Sequence, residues 1–319
     1  MLDIINLAFP FFGVIFIGFA FGKLQRVPDE GLAWMNVFIL HVALPALFFR
    51  ILSKTPLEQL AQADFIMATT LATASAFTLA FIVGLILQRG RIGEAILSGV
   101  GGGFGNVGYM GPPLALATVG ADASVPVALI FCFDALFVFI MVPLLMAFSG
   151  TSKLGLGRAL LDVVRGIVLN PLLLAAGLGT VAAAFHFEPP VALDRLLQFL
   201  YTSAAPCALF ALGVTVALRP VDRVFPDVPI LAAIKLLIHP VIVLALLLTF
   251  GPFHPAWVAT AVLMAALPPA LTAYVFARQY GIWIEHASSV VLYGTLGSVM
   301  TLIVVMWLLK SGTLARLAL

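Results

Sequence analysis

The sequence predicts an all-α integral membrane protein of ten transmembrane helices, arranged as two inverted five-helix repeats whose fourth and ninth helices are broken. Three observations carry that expectation. Of 319 residues, 63% are hydrophobic and 9% are charged, whereas a soluble domain carries about 25% charged residues. So few charges cannot build a water-facing surface, and lipid must cover most of the outside. Apolar runs long enough to cross hydrocarbon, about 20 residues each, recur along the whole chain. Two of these runs are interrupted internally, and each stands fourth in its half. The net charge of +2 is too small to point to nucleic acid.

Read between charged or Pro/Gly-rich breaks, the runs lie near 5–22, 31–51, 64–87, 92–119, 124–147, 160–185, 191–217, 228–250, 256–279 and 284–308. The first follows Met1-Leu2-Asp3, with no basic stretch of the kind that opens a secretory signal, so it is read as a membrane helix. The second carries Ala43-Leu44-Pro45-Ala46-Leu47-Phe48-Phe49, and the seventh carries the similar Ala205-Pro206-Cys207-Ala208-Leu209-Phe210. The fourth is cut by Gly101-Gly102-Gly103-Phe104-Gly105-Asn106 and again by Pro112-Pro113, and the ninth is cut by Pro268-Pro269. A short linker, 150–158, separates a first repeat over 1–149 from a second over 159–319. Because each repeat holds an odd number of spans, the second inserts upside down.

Short loops on one side carry Lys23, Arg26, Arg89, Arg91, Lys153, Arg158, Arg219, Arg223 and Arg278. The other side carries Arg50, Lys54, Arg195, Lys310 and Arg316. The positive-inside rule puts the richer set in the cytoplasm of a cell membrane and both termini outside.

Inverted repeats with matching discontinuous helices characterise secondary transporters, whose site lies at mid-membrane where the breaks meet. The physical reason is local. A proline removes a backbone donor, and in hydrocarbon each unpaired backbone group costs several kcal/mol, so breaks survive only when buried or facing water. Pro112 or Pro113 can open a new half-helix, whose free N–H groups attract an anion without a basic side chain. If Pro268-Pro269 do the same, two opposed half-helix ends could grip one carboxylate. Asn106 can bond substrate or tie off the loop's own carbonyls. Tyr109 offers a hydroxyl or packing, and the glycines serve backbone bending and close helix contact.

Ionisable residues within spans are the next candidates, because each is expensive there. Asp134 and Lys235 lie within spans five and eight and suit a buried ion pair, for coupling or for structure, unless Lys235 snorkels to the surface. His41, before Pro45, and His239, before Pro240, could touch substrate or proton or simply pack. Cys132 and Cys207 sit in apolar runs and read as small buried hydrophobes; no metal-ligand spacing is present. Gly103-Phe104-Gly105-Asn106-Val107-Gly108 fits G-x-G-x-x-G, but that fingerprint needs a strand and a βαβ unit. Gly18 and Gly22 have the spacing of a helix-contact face.

The stretch Gly105-Asn106-Val107-Gly108-Tyr109-Met110-Gly111-Pro112-Pro113-Leu114 resembles the fourth-helix motif of the auxin efflux carrier family, which includes plant auxin exporters and bacterial malonate and malate permeases. Ala265-Ala266-Leu267-Pro268-Pro269 followed by Tyr274-Val275-Phe276-Ala277-Arg278-Gln279-Tyr280-Gly281 is similar to that family's ninth helix. The Leu-Pro-Ala-Leu-Phe segment of span two matches as well. Length and the short linker bring the chain nearer the bacterial malonate-type permeases. One departure stands out: the plant members carry the crossover proline where this chain has Ala273. The resemblance implies a fold shared with bile acid and sodium–proton transporters, with spans 1, 2, 6 and 7 as scaffold and spans 3–5 and 8–10 as a mobile transport domain.

The expected function is therefore secondary transport of a small carboxylate, malonate or a related dicarboxylate first, by alternating access. The expected substrate contacts are Asn106, Tyr109, Pro112, Pro113, Pro268, Pro269, Thr272 and His41. No cofactor motif and no ATP-binding G-x-x-x-x-G-K-[ST] loop is present, so a proton gradient, a sodium gradient or the substrate's own gradient would supply the energy. Membrane lipid and a second copy, joined through the scaffold helices, are the expected partners. The alternatives are an anion channel or receptor, or an exporter of auxin-like aromatic acids. An intramembrane enzyme would need a metal pair, a catalytic aspartate pair or a serine with a base; the sequence has no His-Glu-x-x-His motif, and Asp134 has no obvious aspartate partner within the spans beyond Asp162 near the start of span six.

Overall fold

The structure is a computed structural model that describes residues 2–25, 29–150, 155–218 and 225–311. These residues are helical apart from turns and one isolated antiparallel bridge, Gly105 to Pro269. Of the basic residues that set the orientation, Arg26, Lys153, Arg219, Arg223 and Arg316 lie outside the described residues, as do positions 151–154 of the linker.

In chain order, α1 is Leu2–Gln25 and α2 is Asp29–Phe38, which continues through a π-helical turn, Ile39–Ala43, into α3, Leu44–Ser53. The short α4 (Leu57–Leu60) precedes α5 (Ala63–Leu87), α6 (Ile92–Gly103), α7 (Gly111–Thr118) and α8 (Ser124–Phe148). Then come α9 (Gly155–Val168), α10 (Pro171–Ala184) and α11 (Val191–Leu218). A second π-helical turn, Ile234–Ile238, joins α12 (Asp227–Ala233) to α13 (His239–Phe250). The chain ends with α14 (Pro255–Ala265), α15 (Thr272–Tyr280) and α16 (Ile284–Lys310). Among the described residues, six helical stretches are long and apolar enough to cross a membrane, and a seventh if α9 and α10 count as one bent span.

Both π turns have the same cause. Pro45 and Pro240 have no N–H to return to the carbonyl four residues back. Just ahead of each, the ladder widens by one residue: the Leu44 N–H reaches the Ile39 carbonyl and the His239 N–H reaches that of Ile234. Such local widenings rotate the side chains that follow and gather at functional sites.

The run read as a single span over 160–185 is instead divided. Asn170 interrupts it and caps α10, its Oδ1 accepting from the N–H groups of Leu172 and Leu173 at 2.9 and 3.2 Å, with Pro171 as the first helical residue. Asn170→Ala is expected to lower stability by about 1 kcal/mol, read as an earlier thermal melt of the purified protein in detergent.

The described residues sort into two compact units. One lies within Met1–Gln62, Gly108–Cys132 and Leu169–Pro220; the other within Ala63–Val107, Phe133–Val168 and Val221–Leu319. In the first, α1 packs along α11, and α3 packs against α10 and α11. Gly18, Gly22 and Gly213 let the α1 and α11 backbones touch. The rings of Phe48 and Phe131 meet at a tilt of 32° with centroids 4.4 Å apart. At one end Arg50 and Lys54 both pair with Asp194, at 3.0 and 2.8 Å. Phe9, Phe185 and Phe199 are 71, 81 and 79% exposed, a surface suited to lipid and not to water.

In the second unit α5 packs on α6, and α13 on α5 and α14. Asp227, only 2% exposed, ties three elements together. It accepts from Gln88 Nε2 at 2.9 Å and Trp283 Nε1 at 3.3 Å, and lies 2.8 Å from His286 Nδ1. The His286 ring stacks on Phe225, with centroids 3.8 Å apart. Nothing in the sequence pattern singled out this cluster, because its members are scattered and individually ordinary.

Candidate functional site at the crossing of two broken helices

Both breaks open in the second unit. The first follows α6, where Phe104 turns extended at φ −97° and ψ 119°. The second follows α14 and runs through Ala266–Leu271 to the start of α15. It therefore falls at Pro268-Pro269, and Ala273, the site of the plant crossover proline, lies inside α15.

The two extended stretches pair with each other. The Asn106 N–H donates to the Pro268 carbonyl at 2.8 Å, and the Ala270 N–H donates to the Phe104 carbonyl at 3.0 Å. Each break thus supplies partners for the other, which is how irregular backbone persists inside an apolar body. Asn106 (7% exposed), Pro268 and Pro269 are buried, and Thr272 is half-buried at the first turn of α15. The N–H groups of Tyr274 and Val275 are taken by the Leu271 carbonyl, and that of Ala273 by Ala270.

A buried polar cluster adjoins this crossing. Lys235, fully buried in the second π turn, donates through Nζ to the Ala265 carbonyl at the end of α14 and lies 3.1 Å from His239 Nδ1. A cation at the carbonyl end of a half-helix is favoured by the helix dipole. The contact with the crossing is close: a Cβ added at Gly105 would lie 3.0 Å from Lys235 Nζ. A side chain at this position would press directly on the lysine head. The snorkelling alternative for Lys235 is thereby corrected.

Across the cluster, His239 Nε2 lies 3.4 Å from Thr73 Oγ1 on α5, and Thr73 neighbours Asp134 on α8. Asp134 is 3% exposed and feels the charge of Lys235, while its Oδ1 meets no hydrogen-bond partner among the described residues. Asp134, Lys235 and His239 were legible as ionisable groups in apolar runs. Thr73 was not, since a threonine in a membrane helix usually bonds its own backbone.

The remaining candidates fall in the first unit. His41 is exposed on the first π turn, its Nδ1 3.2 Å from the Val37 carbonyl of its own helix. Tyr109 is half-buried just before α7, while Pro112 and Pro113 occupy the first turn of that helix. Having no N–H, the two prolines leave Gly111 as the only donor among the first three residues of α7. Asp162, on α9, lies instead in the second unit and interacts electrostatically with Tyr280.

Comparison with known proteins is consistent along the chain. The family model described as "Membrane transport protein" matches residues 3–154 and 157–306. The sequence is 45% identical over 314 residues to the "Putative malonate transporter" of Rhizobium meliloti, covering 98% of each chain. It is 23% identical over 293 residues to an "Uncharacterized transporter" of Methanothermobacter thermautotrophicus, covering 91% of this chain and 93% of that one. Over 158 residues it is 27% identical to "Auxin efflux carrier component 8" of Arabidopsis thaliana, covering 47% of this chain and 42% of the plant protein.

Proposed function

Because the chain belongs to the auxin efflux carrier family of membrane transport proteins, we propose that it is a secondary carrier of small organic anions, with malonate or a related dicarboxylate as substrate. The observation that carries this reading is the crossing itself: two interrupted helices paired through Asn106 and Pro268, with a buried lysine head against Gly105. A positive group at interrupted backbone, in surroundings of low dielectric, favours negative charge. Malonate comes first because a relative that matches over 98% of its length, at 45% identity, is named "Putative malonate transporter".

In this reading the protein spans the cell membrane ten times as two inverted repeats, with both termini outside. Spans 3–5 and 8–10 carry the site past a scaffold of spans 1, 2, 6 and 7 in an elevator motion, and the scaffold joins two copies. Asn106 and Thr272 contact the substrate, its carboxylates accepting from the Asn106 side-chain amide and the Thr272 hydroxyl. Family and relatives alike are named for transport and not for an enzymatic reaction.

Asn106→Ala is expected to reduce uptake of labelled malonate into proteoliposomes by at least tenfold, the loss of about 1.4 kcal/mol or more of binding, while the protein still purifies as a folded species. Undiminished uptake would remove Asn106 from the site. Counterflow separates a carrier from a channel, because unlabelled malonate on the far side accelerates uptake only through a carrier. Labelled aromatic acids in the same assay test the plant-type substrate.

A further inference from the structure

We infer that the anion travels with a proton, passed between Lys235 and Asp134 through His239 and Thr73. This rests on the anion-carrier reading of the same site and deepens it by identifying the coupling ion.

The geometry is a continuous chain of exchangeable groups. Lys235 Nζ bonds the Ala265 carbonyl and faces His239 Nδ1 at 3.1 Å, His239 Nε2 faces Thr73 Oγ1 at 3.4 Å, and the buried Asp134 is the acidic neighbour of Thr73. An ammonium has donors only, so Nδ1 accepts, the imidazole hydrogen sits on Nε2 and points at Thr73, and the Thr73 hydroxyl donates to Asp134. Every donor then points from Lys235 toward the carboxylate. The titratable members are Asp134 from α8 and Lys235 and His239 from the α12–α13 segment. The elements packed around them add the Thr73 hydroxyl from α5, Gly105 beside α6 and the Ala265 carbonyl from α14, while α16 sets Gly297 against Leu236.

Such a chain can shift a proton without moving a heavy atom. Lys235 gives a hydrogen to Nδ1, Nε2 gives its hydrogen to Thr73, and Thr73 gives its own to Asp134. The ammonium–carboxylate pair becomes an amine and a carboxylic acid, with no net charge gained. Lys235, beside the crossing, then takes one proton from water on the loading side, its ammonium turning away from the new Nδ1–H and keeping the Ala265 carbonyl as acceptor. The cluster now carries one positive charge more than before, which offsets one charge of the bound carboxylate. Unloading reverses each step and returns one proton to the far side. The unpartnered Asp134 Oδ1 supplies the incentive, since an ionised carboxylate with an unmet oxygen in a dry interior is costly. Sodium fits this cluster poorly, because hard cations take a shell of oxygen ligands and the position nearest the Ala265 carbonyl is filled by Lys235.

Two measurements test the inference. Infrared difference spectra of the full-length protein between acid and neutral pH should show a carboxylic-acid carbonyl band that vanishes in Asp134→Asn. Its midpoint should shift in His239→Gln and in Thr73→Val, which a merely structural role would not produce. Absence of an Asp134 band overturns the proposal, whatever the substrate. In proteoliposomes with the membrane potential clamped, one unit of pH difference, acid on the loading side, should drive labelled malonate to about a tenfold gradient, which Asp134→Asn abolishes. Accumulation driven by sodium instead, or unchanged in Asp134→Asn, overturns it too. If the wild type shows no malonate counterflow at equal pH, the substrate assignment has failed, and the infrared result still decides the relay.

Discussion

Gly213→Ala is expected to destabilise the protein by about 3 kcal/mol, the upper end of the range for overpacked interiors. The added methyl would sit 2.0 Å from the Ile15 carbonyl oxygen and 2.8 Å from the Phe19 nitrogen. Both are backbone atoms of α1, so no side chain can swing aside and a whole helix must retreat. The contact is reciprocal: a Cβ at Gly18 would lie 2.2 Å from the Phe210 carbonyl oxygen, and one at Gly22 would lie 2.8 Å from Ala217 Cβ. Separating α1 from α11 would loosen contacts along most of their shared length. The measurement is the thermal midpoint of purified protein in detergent. Gly177→Ala in α10 is the matched control, because nothing lies within 4 Å of its added methyl. That variant should be neutral or slightly more stable, as helix propensity favours alanine. Equal melting of the two variants would mean that α1 and α11 are not in backbone contact.

Lys235→Met should cost about 3–5 kcal/mol, the usual penalty for breaking a buried charge pair by removing one member. The substitution roughly preserves volume, so the loss is electrostatic: the Ala265 carbonyl loses its donor and Asp134 loses the nearby positive charge. Adding Asp134→Asn should restore part of the stability by removing the stranded carboxylate, and the double-mutant cycle reads their coupling. Transport should not return in the double variant, because the group facing the crossing is gone. Full stability in Lys235→Met alone would show that the cluster does not depend on the ammonium.

The helices were legible because hydropathy and proline act locally. The starts and ends of most runs agree with the observed helices to within a few residues. Span six escaped, since Asn170-Pro171 lies inside an apolar run and its capping role depends on a rotamer that no hydropathy window contains. The second break was legible as Pro268-Pro269, although the plant pattern pointed to Ala273. The helix-contact spacing of Gly18 and Gly22 was present in the sequence, but its partner Gly213 was not identifiable, because any of several helices could have lain opposite.

The residues named for the site divide along the same line. Asn106, Pro268 and Pro269 meet at the crossing, and Asp134, Lys235 and His239 share one cluster. Tyr109, Pro112, Pro113 and His41 belong to the other compact unit. Thr73 joins the cluster from 166 positions before His239, a separation at which no local pattern carries information.

By itself the sequence determined that this chain lives in a membrane, where its helices run and where two of them must break, because burial in lipid and the missing proline donor are properties of single segments. The tertiary structure alone decided which carbonyl each broken backbone pairs with, that Lys235 turns inward to the end of α14, and that a threonine links its histidine to an aspartate. Those outcomes depend on hydrogen-bond distances between segments far apart in the chain, and only packing brings such segments within reach.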